Sequence, residues 1–215
     1  MSADLALSAA VLATLTIAVT DWLAVARDDH RTERWAKPAV MVGLLAVALA
    51  LGAAGTTTGR LVLLALVLGM VGDVLLLEDT RPRFLGGLAA FLVGHLAWVG
   101  AFVATGLDRP ALGWVGAAVL AAALVVGRRI LPAALAEGGP ALAVPVAVYM
   151  AVIGGMAVLG WATGHLLVGL GATLFVVSDT VLALAKFVRE GRGSRPLVIV
   201  TYHLAQALLV AGLLA

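Results

Sequence analysis

Eight runs of about twenty apolar residues account for most of this chain, and that repetition constrains its fold more than any other feature. A helix needs about twenty such residues to cross the roughly 30 Å hydrocarbon core of a bilayer. The runs cover 4–26, 36–53, 60–77, 84–105, 112–131, 140–161, 165–187 and 196–215. Of the 215 residues, 63% are hydrophobic and 12% charged, with a mean hydropathy of +1.12. Soluble domains sit near 45–50% and 25% on the first two scales. The expected class is all-α: a polytopic membrane helix bundle of about eight spans, forming a single transmembrane domain over 1–215. The connections are short and rich in breakers, such as Gly-Gly-Pro at 138–140, and no separate soluble domain fits between them.

Charge placement gives the expected topology. Twelve of the fourteen Lys and Arg lie in or beside the first, third, fifth and seventh connections, from Arg27, Arg31, Arg34 and Lys37 to Lys186, Arg189, Arg192 and Arg195. The positive-inside rule then puts the odd connections in the cytoplasm and both termini outside a cell membrane. The pI near 9.5 is thus a topology signal, and nucleic acid is not an expected partner. The N-terminal segment lacks the basic start of a signal peptide, so the first run is expected to remain as a helix. Without cysteine, thiol nucleophiles, disulfides and Cys-ligated metals are excluded.

The exceptions to apolarity are the candidate functional residues. Asp179 sits inside GATLFVVSDTVLALAKF, and Asp73 inside LGMVGDVLLL. An ionisable group at bilayer depth costs roughly 2.5–3.5 kcal/mol to insert and is by default a functional candidate. Counted at about 1.5 Å per residue, Asp73 lies about 7 Å and Asp179 about 13 Å from the cytoplasmic ends of their helices. Asp21, Lys37, Lys186 and Tyr202 fall in the same half, with His95 and Gln206 near mid-depth, which predicts a cavity opening inward. Two acids brought together there can divide into a protonated and an ionised partner. Read alone, either Asp could instead be held by a neighbour's hydroxyl or by a Lys for assembly.

The helical companions carry two readings each. Lys186, seven residues after Asp179, shares its face and either supports a carboxylate or snorkels to the headgroups. Tyr202 and Gln206 are four apart on one face; Gln206 orients a carboxylate or water, or only bonds helix to helix. His95 serves as a packing residue or handles protons. A zinc site from His95, His203 and an Asp is the weaker alternative, and no nucleophile elbow surrounds Ser178. LVLGMVGDVLL and ATLFVVSDTVL, each followed by Arg-Pro and a His-bearing helix, allow a four-plus-four internal repeat.

Several segments together resemble the YhhN/TMEM86 family: GDVLL with Asp73, FLGGLAAFLVGH with His95, FVVSDTVLALAKF with Asp179 and Lys186, TYHLAQALL with Tyr202 and Gln206, and the Lys37-Pro38 start of the second run. They occur in matching order along nearly the full chain. His203 stands where the family pattern leads one to expect a second aromatic. The resemblance implies an eight-helix membrane protein that hydrolyses the vinyl ether of lysoplasmalogen, with Asp73 and Asp179 as acid and base and no metal or other cofactor. Lysophospholipid and membrane lipids are the implied partners, and Lys37, Lys186 and Arg81 are candidates for the phosphate. Two other readings use the same residues: a proton-coupled transporter, and an assembly subunit without small-molecule chemistry.

Overall fold

The computed structural model describes residues 3–78, 80–189, 191 and 193–215, and these are helical with no strand. In chain order the helices are α1 (Ala3–Ala26), α2 (His30–Ala50), α3 (Thr57–Leu75), α4 (Arg81–Thr105), α5 (Gly113–Val126), α6 (Ile130–Gly138), α7 (Pro140–Ala162), α8 (Leu166–Phe187) and α9 (Ser194–Leu214). Single 3₁₀ turns lie at Ala53–Gly55 and Pro110–Leu112, and the remaining described residues form the connections. Arg192, one of the basic residues of the last connection, lies outside them.

Six helices, α1, α3, α4, α7, α8 and α9, are long and apolar enough to cross a bilayer, and α5 with α6 makes a seventh if that pair is one broken span. The eight-run count is therefore revised at two places. The fifth run does not continue through 112–131. It stops at Val126 and resumes at Ile130 with a 52° bend. Pro132 explains the break, because it offers no N–H to the carbonyl of Arg128 and its ring would clash there. Gly127 closes α5 through its N–H to Ala123 O at 2.7 Å.

The second run starts earlier than its apolar residues indicate. Asp29 caps α2, accepting from the Thr32 hydroxyl at 2.6 Å and the Thr32 N–H at 3.2 Å. These bonds, the hydroxyl first, hold the exposed Asp29 carboxyl below the usual carboxylate range. The first third of α2 is consequently polar (His30, Arg31, Glu33, Arg34, Lys37), and the apolar remainder from Pro38 to Ala50 is only about 20 Å long. It is too short to span on its own composition, but it lets α2 carry charges from the aqueous edge into the bundle.

Packing inverts the pattern of a soluble protein. Large apolar side chains such as Leu12, Leu15, Leu49, Trp114 and Val125 point outward, where hydrocarbon would receive them. Asp21, Asp73, His95, His203 and Gln206 are buried inside. Between helices in lipid, close approach and hydrogen bonds replace the hydrophobic drive. Glycines supply that approach between α3 and its neighbours α4 and α9. A Cβ at Gly72 would meet the Phe91 ring at 2.5 Å, and one at Gly69 would meet the Tyr202 hydroxyl and the Gln206 amide at 3.0 Å. Ser178 adds a bond from α8 to α9, its hydroxyl donating to Val198 O at 3.0 Å.

Gly116 gives the sharpest test of this packing. A Cβ there would overlap the Ala157 carbonyl on α7 and lie 2.6 Å from Val158 Cα, so backbone and not a flexible side chain must yield. Gly116→Val is expected to cost about 1–3 kcal/mol, read as a lower thermal unfolding midpoint in detergent; an unchanged midpoint would refute tight α5–α7 contact.

Candidate active site

The site is built on the buried stripe of α3, where Val62, Ala65, Leu66, Gly69, Gly72 and Asp73 follow one another at helical spacing. Asp73 ends that stripe at 1% exposure. Its Oδ1 lies 3.2 Å from Lys37 Nζ on α2. Its Oδ2 accepts from the Tyr202 hydroxyl on α9 at 2.8 Å. The Gln206 amide donates in turn to the Tyr202 oxygen at 3.2 Å. Three helices thus converge on one carboxylate, and both of its oxygens have partners.

A second cluster surrounds Asp179 on α8. The Tyr149 hydroxyl on α7 donates to its Oδ2 in a short hydrogen bond, and His95 Nε2 on α4 lies 3.3 Å from the same oxygen and 2.8 Å from the Tyr149 hydroxyl. Because Tyr149 spends its only proton on Asp179, the imidazole must face both oxygens with an Nε2–H. His95 Nδ1 is buried without a partner, which suits the lone pair of that neutral tautomer and would strand an N–H of the cation. The tautomer is assigned here from the network.

Phe175 joins the two clusters. Its ring stands edge-on to His95 at 4.7 Å between centroids and to Tyr202 at 5.5 Å. Asp73, Asp179, Lys37, Tyr202 and Ser178 line one cavity of about 500 Å³, whose rim carries His30, Glu33, Arg34 and Arg195. Arg195 is held there by Asp28 and Glu33, each at 2.7 Å. A narrower, almost wholly apolar cleft of about 70 Å³ runs beside it between α4, α5, α7 and α8, lined by Phe84, Leu120, Leu124, Val146 and Met150. Asp179 lines both spaces. It therefore stands where a polar compartment meets an apolar one.

The structure brings together most residues singled out in the sequence. Lys37, Tyr202 and Gln206 gather at Asp73, and His95 at Asp179. Lys186 lines the apolar cleft that Asp179 also lines, with its ammonium 5.5 Å from the centroid of the Phe84 ring. His203 turns toward α1, its Nδ1 accepting from Trp22 Nε1 at 3.1 Å. Among the described residues no three His, Asp or Glu side chains group so as to hold a metal. Sequence reasoning missed Tyr149, the direct donor to Asp179. One signal was available: the chain has two tyrosines, and each donates to one of the two aspartates.

Comparison with known proteins bears on what this arrangement does. The sequence model of the YhhN family matches residues 32–213, a stretch that includes Lys37, Asp73, His95, Tyr149, Asp179, Tyr202 and Gln206. Lysoplasmalogenase TMEM86A of Homo sapiens is 31% identical over 164 residues, taking in 69% of this chain and 62% of that protein. Lysoplasmalogenase TMEM86B of Homo sapiens is 33% identical over 145 residues, with 67% and 59% covered. Its Sus scrofa counterpart is 35% identical over 147 residues, again with 67% and 59%. The chain thus spans less than two thirds of the length of these relatives. No solved structure matches it.

The tyrosine bonds can be tested apart from any reaction. Tyr202→Phe and Tyr149→Phe keep the rings but each takes one donor from a carboxylate inside the bundle, so each is expected to cost about 1–3 kcal/mol. Thermal unfolding of the purified variants reads this out. Midpoints equal to the parent's would mean that these hydrogen bonds do not hold the acids.

Proposed function

The chain belongs to the YhhN family, and from that membership and the geometry of the cleft we propose that it hydrolyses the vinyl ether of lysoplasmalogen-type lysophospholipids. The products are a fatty aldehyde and a glycerophospho-alcohol. The observation that carries the reading is the position of Asp179 at the meeting of a polar, charged-rimmed cavity with an apolar cleft. A single-chain amphiphile has that same division, and its vinyl ether lies at the join. The hydrocarbon chain enters the cleft past Phe84 and Leu124, and the glycerol and phosphate remain in the cavity near Lys37, Arg34 and Arg195.

The chemistry needs one proton and one water. A carboxylic acid protonates the alkene carbon, leaving an oxocarbenium ion at the carbon bonded to oxygen. The other carboxylate stabilises that cation and takes a proton from the attacking water, a division of labour that paired acids also use on glycosidic acetals. The hemiacetal so formed collapses to aldehyde and alcohol. Asp73 and Asp179 are the two acids. Tyr202 with Gln206, and Tyr149 with His95, fix the direction of each carboxyl. The cavity rim lies on the side of the basic odd-numbered connections, so the cytoplasmic leaflet supplies the substrate.

Asp73→Asn and Asp179→Asn, which preserve shape and most hydrogen bonds, are each expected to lower aldehyde release from lysoplasmenyl-ethanolamine and lysoplasmenyl-choline by about 10²–10⁴-fold while the protein still inserts. The assay uses purified protein in detergent or liposomes. Turnover retained in both variants would end the mechanism; proteoliposome uptake driven by a pH gradient, without aldehyde, would favour transport instead.

A further inference from the structure

Among the described residues, Asp21 is the one buried acid that the reading above leaves unused. It lies on α1, outside the family-matched residues 32–213, at 0% exposure, and neither of its carboxyl oxygens has a hydrogen-bond partner. An ionised carboxylate in that state would be among the costliest groups a bundle could hold. Its surroundings follow from helix register. α1 and α2 are antiparallel neighbours, and Thr14 on α1 lies against Gly43 on α2. Seven residues from each toward their connection bring Asp21 opposite Ala36 and Lys37. Val25, one turn further along the same face, lines the large cavity.

The charges acting on Asp21 are Lys37, Glu33 and Asp73. α9, also packed on α1, meets it through His203, which is held by Trp22. Glu33 is already engaged by Arg195 at 2.7 Å. The inner group therefore contains two carboxyls and one ammonium. One ionised Asp neutralises Lys37; two would leave the group with a net negative charge. The bonds identify the resting arrangement: Asp73 accepts at both oxygens, as a carboxylate does, and Asp21 accepts at neither.

We propose that Asp21 is a third acid of the site, a positioning residue that shares a single proton with Asp73 across the Lys37 ammonium. At rest Asp21 is the neutral acid and Asp73 the carboxylate. In the exchanged state Asp73 is the neutral acid and Asp21 the carboxylate, while Lys37 is a cation before and after, so the group keeps its charge. Asp73 can then carry the proton of the reaction while Asp21 remains as counter-charge to Lys37. This last step rests on the proposed vinyl ether hydrolysis; the shared proton does not.

Infrared difference spectroscopy of the full-length protein in nanodiscs at neutral pH tests the sharing without substrate, by following the carbonyl stretch of a neutral carboxylic acid. Any contribution from Asp179 is common to all variants and cancels in differences against the parent. The band is expected to weaken by one carboxyl in Asp21→Asn and equally in Asp73→Asn, because the remaining acid ionises against Lys37. In Lys37→Met it should grow, as the second acid takes up a proton. A band unchanged in Asp21→Asn, or lost in only one of the two aspartate variants, would overturn the proposal, and a band that does not grow in Lys37→Met would overturn it whether or not the aspartate variants fold. In the aldehyde assay Asp21→Asn should turn over at least about tenfold more slowly, with partial rescue by Asp21→Glu. Correct infrared behaviour in a protein that releases no aldehyde would sink the hydrolysis and leave the shared proton standing.

Discussion

Everything in this bundle depends on keeping carboxyl groups in a place where water is scarce. A lone carboxylate in a low-dielectric interior is so unfavourable that it must find donors or take up a proton. Asp73 and Asp179 find them, each through one tyrosine hydroxyl and one further group, Lys37 or His95. The donors come from different helices, so the same bonds that quiet the charges also dock α2 and α9 on α3, and α4 and α7 on α8. Glycines make this possible. A side chain at Gly69 would press on the Tyr202–Gln206 pair at 3.0 Å and push it away from α3 by a few tenths of an ångström.

Such bonds are a poor device for stability alone. A buried ion pair returns little more than the desolvation it costs, and apolar replacements of similar shape often serve as well or better. Lipid-facing helices have small residues and backbone-directed hydroxyls for association, and this chain uses both, as at Gly116 and Ser178. The costly polar interior is therefore concentrated where it does something packing does not require: it surrounds a space with a polar end, an apolar end and a carboxyl at their junction.

Much of this was legible in the residues before any coordinates. Tyr202 and Gln206 at four-residue spacing, two Asp at similar depth, and Lys37 at the wet start of a helix each predicted a placement by helical geometry alone, and the bundle brings them together at Asp73 and along one cavity. What escaped has physical reasons. Tyr149 sits in VPVAVYMAV with no polar residue at the neighbouring turns, so no one-helix pattern flags it; only its partner on α8 gives it meaning. Counting apolar residues overrated the second run, because a capped helix can begin in water and carry charges inward, and overrated the fifth, where Pro132 cuts a uniformly apolar stretch. Lys186 shares a helix face with Asp179 and lines the same cleft, while its contact with the Phe84 ring on another helix is something that spacing along one helix does not give.

The same reasoning explains why α1 matters although little in its sequence announces it. Its outward residues are unremarkable lipid-facing aliphatics, and Asp21 taken alone is one acid near a helix end. Register with α2 changes that, because it sets Asp21 opposite Ala36 and Lys37, whose ammonium already has Asp73 as its partner. Two carboxyls that share one ammonium leave a surplus negative charge if both ionise, and a proton on either of them removes it. A proton held by such a choice is available to move without any change in net charge, and moving a proton at low cost is what an acid catalyst inside a membrane needs.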